Sequence, residues 1–323
     1  MRNNNRNSAP GPQKPRQWWA VAWLPVLLLL IGSGVNANAK PVAQVTVTAA
    51  TGGSAISADE APGSVDGESW TTLTGPTLTE TAPVQIGPAG GTIVLSAPSG
   101  FEFNPAAAVT VTVAKTSGSG SGAALTLSGE SAGSVTVFPT ASSITITVAS
   151  QDASGTASII SFSGIEVNPS AGTPVQPPGN ITQTGTALFT QSQANYGTLT
   201  ENAGQATHLA FITSPVTIVA GAPSGAIEVQ AYDQWGNVCV QSGSARTVTA
   251  SSTSPGGLFN PATATIQIGS SIASFQYSDT DAGTPTVSMS SPTTFNCVNL
   301  NCGPGSTFTI TSTVLAVSLN VRP

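Results

Sequence analysis

Apolar and polar residues alternate with a period of two along much of this chain, and glycine and proline cut the alternation into short lengths. Val109-Thr110-Val111-Thr112-Val113 is the clearest run. Successive side chains of a strand point to opposite faces, so such a run predicts one buried and one solvated face. Residues 91–95, 134–138, 143–148 and 157–167 read the same way. Breakers separate them at Gly87-Pro88, Pro98-Ser99-Gly100, the Ser/Gly run 117–122 and Gly172-Thr173-Pro174. Short strands at this spacing predict a β-sandwich over residues 69–200, with Phe101, Phe103, Phe138 and Phe162 among its interior residues.

Residues 201–323 repeat the pattern. Strands are expected at 208–212, 216–219, 225–232, 246–251, 262–268, 272–277 and 284–289, with Pro215 breaking the first pair. Their number and size fit an immunoglobulin-like sandwich. Two more alternating runs, 307–311 and 314–321, either complete it or stay unpaired, open to another chain by strand addition. No helix-period stretch of useful length occurs. The fold class expected is all-β: two tandem β-sandwiches, the second immunoglobulin-like. Residues 40–68 are an Ala/Gly/Ser-rich segment, and the polar stretch 185–206 is the expected boundary between the sandwiches.

Residues 1–39 have the layout of a secretory signal peptide. Arg2, Arg6, Lys14 and Arg16 precede a 14-residue apolar run from Trp18 to Ile31, and Ala37-Asn38-Ala39 supplies small residues for cleavage. The run is shorter than the roughly 18 residues of a spanning helix. No membrane span is therefore expected after cleavage, and the protein is placed outside the cytoplasm, secreted or at the cell surface.

Composition narrows the function. Only 7% of residues are charged, and the formal net charge is −6. Without residues 1–39, Lys40, Lys115, Arg246 and Arg322 face all 14 acids, for a net charge of −10. So acidic a surface does not favour nucleic acid or anionic lipid. Three cysteines in an exported chain allow a disulfide. Cys297 and Cys302 close a short loop and form the candidate bridge, which leaves Cys239, between Val238 and Val240, as a buried thiol. A metal site lacks ligands, because His208 is the one histidine.

The same poverty argues against catalysis. A Ser-His-acid triad would have to use His208, read as a strand residue. The run Gly118-Ser119-Gly120-Ser121-Gly122 centres on glycine where a nucleophile elbow needs serine. Glu102, Glu166 and Glu228 lie in or beside strands and are expected to point outward. Asp59, Glu60, Asp66 and Glu68 read as a solvated loop. Asp279 and Asp281 read as a polar turn, too few ligands for Ca²⁺. No cofactor is expected.

One segment carries a resemblance. Thr207-His208-Leu209-Ala210-Phe211, Ala220-Gly221-Ala222 and the run from Val229 to Val238, which contains Asp233-Gln234-Trp235-Gly236-Asn237, resemble bacterial Ig-like repeats of the invasin/intimin type. The run from Phe275 to Thr284 resembles their closing strands. More loosely, Trp70-Thr71-Thr72-Leu73, Ala97 to Phe103 and Phe162 to Pro169 are similar to an accessory domain of repeat-built bacterial surface proteins. The resemblance implies modules that space, display or bind and that do not catalyse. From the residues themselves, Asp233, Trp235, Gly236 and Asn237 form a turn: Asp233 accepts backbone N–H groups, Trp235 covers the sandwich edge and Gly236 takes positive φ. The function expected is a structural or adhesive surface protein acting by display or strand-pairing assembly, with itself, another surface protein or a glycan as partner. A carbohydrate-binding module using Trp70 and Trp235 is the alternative, and a secreted glycoside hydrolase subunit a lower one.

Overall fold

The computed structural model describes residues 44–291, apart from 117, 215, 243 and 282, together with the backbone of 313–320. The leader and the cysteine loop 297–302 lie outside the described residues. All regular elements among the described residues are strands, except two three-residue 3-10 turns, Gly53–Ala55 and Ala58–Glu60. The all-β expectation holds. No helix among the described residues is long and apolar enough to cross a membrane.

The first hydrophobic core is built by β1 (Thr46–Thr48), β2 (Ile56–Ser57), β3 (Thr71–Thr79), β4 (Thr92–Ser96), β5 (Phe101–Phe103), β6 (Val109–Lys115), β7 (Thr126–Leu127), β8 (Ser134–Val137), β9 (Ser143–Ser150) and β10 (Ser158–Pro169). Four short strands follow: β11 (Gly179–Asn180), β12 (Thr182–Thr184), β13 (Thr198–Leu199) and β14 (Glu201–Asn202). One sheet runs β1-β3-β10-β6-β8, with β5 also on β10, and another runs β12-β4-β9-β7. Leu73, Ile160, Phe162 and Ile165 from the first sheet and Ile93, Leu95, Ile144 and Val148 from the second share one buried cluster. Alternation explains this, since every second residue of each strand turns to the shared interior. Val45, Val47 and Ile56, from the Ala/Gly/Ser-rich segment, belong to the same core, as do Tyr196 and Leu199 from the polar stretch 185–206.

Phe138 departs from expectation: it is 65% exposed. Val109 pairs with Val137 and Val111 with Val135, so odd-numbered positions of β8 share the face of the buried Val109 and Val111. Phe138 falls on the other parity, beyond the strand's end, and faces outward.

The second core is built by β15 (Ala206–Phe211), β16 (Val216–Val219), β17 (Ile227–Asp233), β18 (Arg246–Ser252), β19 (Leu258–Asn260), β20 (Thr263–Ile266), β21 (Ile272–Ser278), β22 (Thr286–Ser290) and β23 (Thr313–Asn320). Its sheets run β15-β17-β21-β19 and β16-β23-β22-β18-β20. Phe275, Tyr277, Ile227, Val229, Val248 and Val287 fill the space between them. β23 lies inside its sheet, parallel to β16 and antiparallel to β22. Of the two roles open to the tail, completing the sheet is the one realised; residues 313–320 are not a free strand.

Candidate functional site

A dense set of hydrogen bonds forms where the turn after β17 meets the first core. Asp233 ends β17 and is fully buried. Its Oδ1 accepts the backbone N–H groups of Trp235 (2.9 Å) and Asn237 (2.8 Å). Its Oδ2 accepts Gly204 N–H (2.8 Å) and Asn237 Nδ2–H (2.9 Å). Gly236 sits at φ +84°, in the left-handed region that glycine enters without a Cβ clash. An Asp that satisfies several amides at once fixes the turn and the chain entering β15 together.

The turn then reaches into the first core. Gln234 donates from Nε2 to Asp59 Oδ1 (2.6 Å) and Ser64 Oγ (3.1 Å), and its Oε1 accepts Val65 N–H (2.8 Å). Asp59 Oδ2 accepts Gln205 N–H at 2.6 Å. Asn237 Nδ2 also donates to the carbonyl of Gly172 (2.7 Å). The Trp235 indole packs against Gly172 so closely that a Cβ there would overlap the ring. Trp235 thus covers a neighbouring segment of the first core, and it is removed from the candidate sugar platforms. Gln234, Gly172 and Asp59 were not legible as a set. The one sequence signal was a glycine between Ala171 and Thr173, and it does not name its partner.

Asp59 and Glu60 depart from the solvated-loop reading. Glu60 is buried, and both of its carboxylate oxygens accept the Thr71 hydroxyl (2.9 and 2.8 Å). Burial raises both carboxyls, against hydrogen bonds from Gln234 and Gln205 at Asp59 and from Thr71 at Glu60; the charges of Asp233 and Asp66 raise Asp59 further. Glu201, in β14 beside β2, is 2% exposed, accepts Gln176 N–H at 2.6 Å, and is pushed to about 7 by burial and then by the Asp233 charge. The local signal missed here was Ser57, which caps the 3-10 turn carrying both acids by accepting Asp59 N–H.

The other candidates are scattered. His208 stacks on Tyr232 at 5.6 Å and contacts Thr207 Oγ1 at 3.2 Å. Asp279 accepts the Tyr277 hydroxyl (2.6 Å) and Asp281 N–H (2.9 Å), which closes a turn. Glu166 accepts Asn104 Nδ2–H at 2.7 Å. Glu228 lies half-buried on β17. Among the described residues no group of three or more His, Cys, Asp or Glu side chains is placed to hold a metal. Cys239 is 1% exposed, as a buried cysteine should be, but it has a partner, so its reading as an unpaired thiol is corrected. The candidate bridge Cys297–Cys302 lies outside the described residues.

No family model matches the chain, and no curated protein matches it. Similar solved structures include Yersinia pseudotuberculosis InvD (14% identity, 86% of this chain, 58% of that chain, TM-score 0.32). They also include the adhesin InvE of the same organism (12% identity, 85% and 58%, TM-score 0.25). Domains 4 and 5 of the S-layer protein SbsC match at 15% identity over 47% of this chain and 68% of that one, with TM-score 0.26. The chain spans 58% of the InvD and InvE structures. Invasin- and intimin-type Ig-like modules are therefore among the structures it is similar to.

Proposed function

We propose that the chain is a non-catalytic structural or adhesive protein of the bacterial exterior, built as two tandem β-sandwich modules held in a fixed relation. The observation that carries the reading is the bonded turn 233–237. It ties the start of the second module to residues 59–65 and to Gly172 of the first by side-chain hydrogen bonds and an indole contact. A joint of this kind suits spacing and display, where a stiff arm holds its far end at a set distance. It contributes nothing to an acid–base or nucleophilic step.

Strand-pairing assembly through the tail is not part of this reading, since 313–320 already has a neighbour on each side. Export is inferred from the leader-like residues 1–39 and from Cys239, which we read as a disulfide member. With three cysteines, a bond from Cys239 within the chain takes Cys297 or Cys302 and excludes a bridge between those two.

Fractionation of cells expressing the tagged chain, with protease added outside, tests the reading. Surface or culture-medium recovery and external protease access are expected, with no reducing sugar released from polysaccharides by the purified protein. Retention in the cytoplasm, or polysaccharide hydrolysis, would overturn it.

A further inference from the structure

A cavity of about 420 Å³ opens on the first core, away from the joint residues, and Glu68, Trp70, Glu102 and Asn104 are among the residues that line it. The strand register explains why these side chains meet. Val167 pairs with Thr71 on one side and with Phe103 on the other, and Asn168 pairs with Glu102. Thr71, Phe101, Phe103 and Val167 face the core, so Trp70, Glu102, Asn104, Glu166 and Asn168 occupy the opposite face by alternation.

The polar chemistry there is lopsided. Asn168 is fully buried and donates from Nδ2 to Glu68 Oε1 at 3.1 Å. Its backbone pairs with that of Glu102, while its own side chain lies behind the cavity wall rather than among the lining groups. Its Oδ1 is buried and has no hydrogen-bond partner. Burial, and then the Glu68 charge, raises the carboxyl of Glu102. The cavity thus gathers two carboxylates and an indole. The described cations Lys115 and Arg246 do not line it, and the Lys115 ammonium reaches the carbonyl of Ser121 instead.

We infer that this cavity is a binding site for an organic cation, the ammonium or guanidinium of a Lys or Arg side chain on a partner protein. Such a group brings N–H donors to the two carboxylates and positive charge, which relieves the repulsion between Glu68 and Glu102. The Trp70 indole adds an attractive aromatic surface. A neutral sugar would use the indole but leave the carboxylate pair uncompensated. The inference is independent of the joint: it concerns the outer face of the first core and holds or fails separately.

Isothermal titration of the purified protein with hexalysine, fully acetylated hexalysine and cellohexaose tests it. Hexalysine is expected to saturate one site, with the acetylated peptide at least tenfold weaker. The double variant Glu68→Gln/Glu102→Gln should weaken hexalysine about tenfold or more, and Trp70→Ala severalfold, with circular dichroism confirming that each remains folded. The control Glu130→Gln/Glu228→Gln removes the same charge elsewhere and should leave binding unchanged. Equal loss in the control and in the site variant would overturn the proposal, since binding would then follow net charge alone. Saturable cellohexaose binding without hexalysine binding would overturn it in favour of a saccharide site, and absence of binding to any probe would overturn it outright.

Discussion

Gln234 and Asp59 stand 175 residues apart in the chain and meet at 2.6 Å, the amide Nε2 of one donating to Oδ1 of the other. That bond joins the turn after β17 to the first core. Asp233 beside it pins the entry to β15 by accepting Gly204 N–H. Two adjacent side chains thus do separate jobs, one holding the turn in shape and the other fastening it.

Asp233 should be the costliest of these residues to lose. Asp233→Ala leaves the amides of Trp235, Asn237 and Gly204 without their acceptor in a buried setting, and about 2–4 kcal/mol of stability should go with it. Gln234→Ala removes bonds at a half-exposed position and should cost about 1 kcal/mol. Urea denaturation of both variants checks the order. Equal costs would contradict the division of labour between the two.

Gly172→Ala probes the fastening from the other side. The new methyl overlaps the Trp235 indole, so the ring must leave. Since Trp235 is half-buried at this joint, its fluorescence should shift to the red and protease cleavage near residues 203–205 should quicken. An unchanged spectrum would mean that the indole does not depend on this contact.

The strands were largely legible, because alternation is a local property. Val216–Val219 matched the expected run, and others such as Val109–Lys115 and Ile272–Ser278 differed by a residue or two at their ends. β3 was harder to see, since Gly75-Pro76 interrupts an otherwise regular run and the register with β10 shifts there. The turn chemistry of Asp233 and Gly236 could be read from five consecutive residues. Its role as a joint could not, because Gln234, Asp59 and Gly172 meet only once both cores have formed. The cavity beside Trp70 was hidden for a similar reason: Glu68 and Glu102 meet at Trp70 only once β5 has paired with β10.

Stability should fall as pH rises from 5 to 8. Glu201 is pushed from its ordinary 4.5 to about 7, chiefly by burial. Glu80 is also raised to about 7, by burial and then by the Asp152 carboxyl beside it, although it accepts the N–H groups of Gln85, Ile86 and Ser158. A carboxyl raised in the folded state holds its proton better there than in the unfolded chain. Each therefore adds stability that is complete below about pH 4.5 and is lost as pH climbs through about 7, up to roughly 3 kcal/mol apiece. Asp279 works in a lower window: burial opposes its ionisation, but hydrogen bonds led by the Tyr277 hydroxyl hold it below 3.8. Melting scans should give a Tm several degrees higher at pH 5 than at pH 8. Asp152→Asn supplies Glu80 with a permanent donor and should flatten the slope. A Tm that rises with pH would contradict this account.

Cysteine mapping checks the reading of export. When free thiols are alkylated before digestion, Cys239 should escape and one of Cys297 and Cys302 should be labelled. Labelled Cys239 with both others protected would restore the short-loop bridge.

The central claim is that the turn 233–237 holds the two modules in a fixed relation. Backbone ¹⁵N relaxation measures it most directly, because rigidly joined modules share one rotational diffusion tensor. The purified protein should fit a single tensor across both cores, and Gln234→Ala/Asn237→Ala should need two. Two tensors in the unaltered protein would mean that the bonds at Asp59 and Gly172 do not fix the modules, and the account would fail.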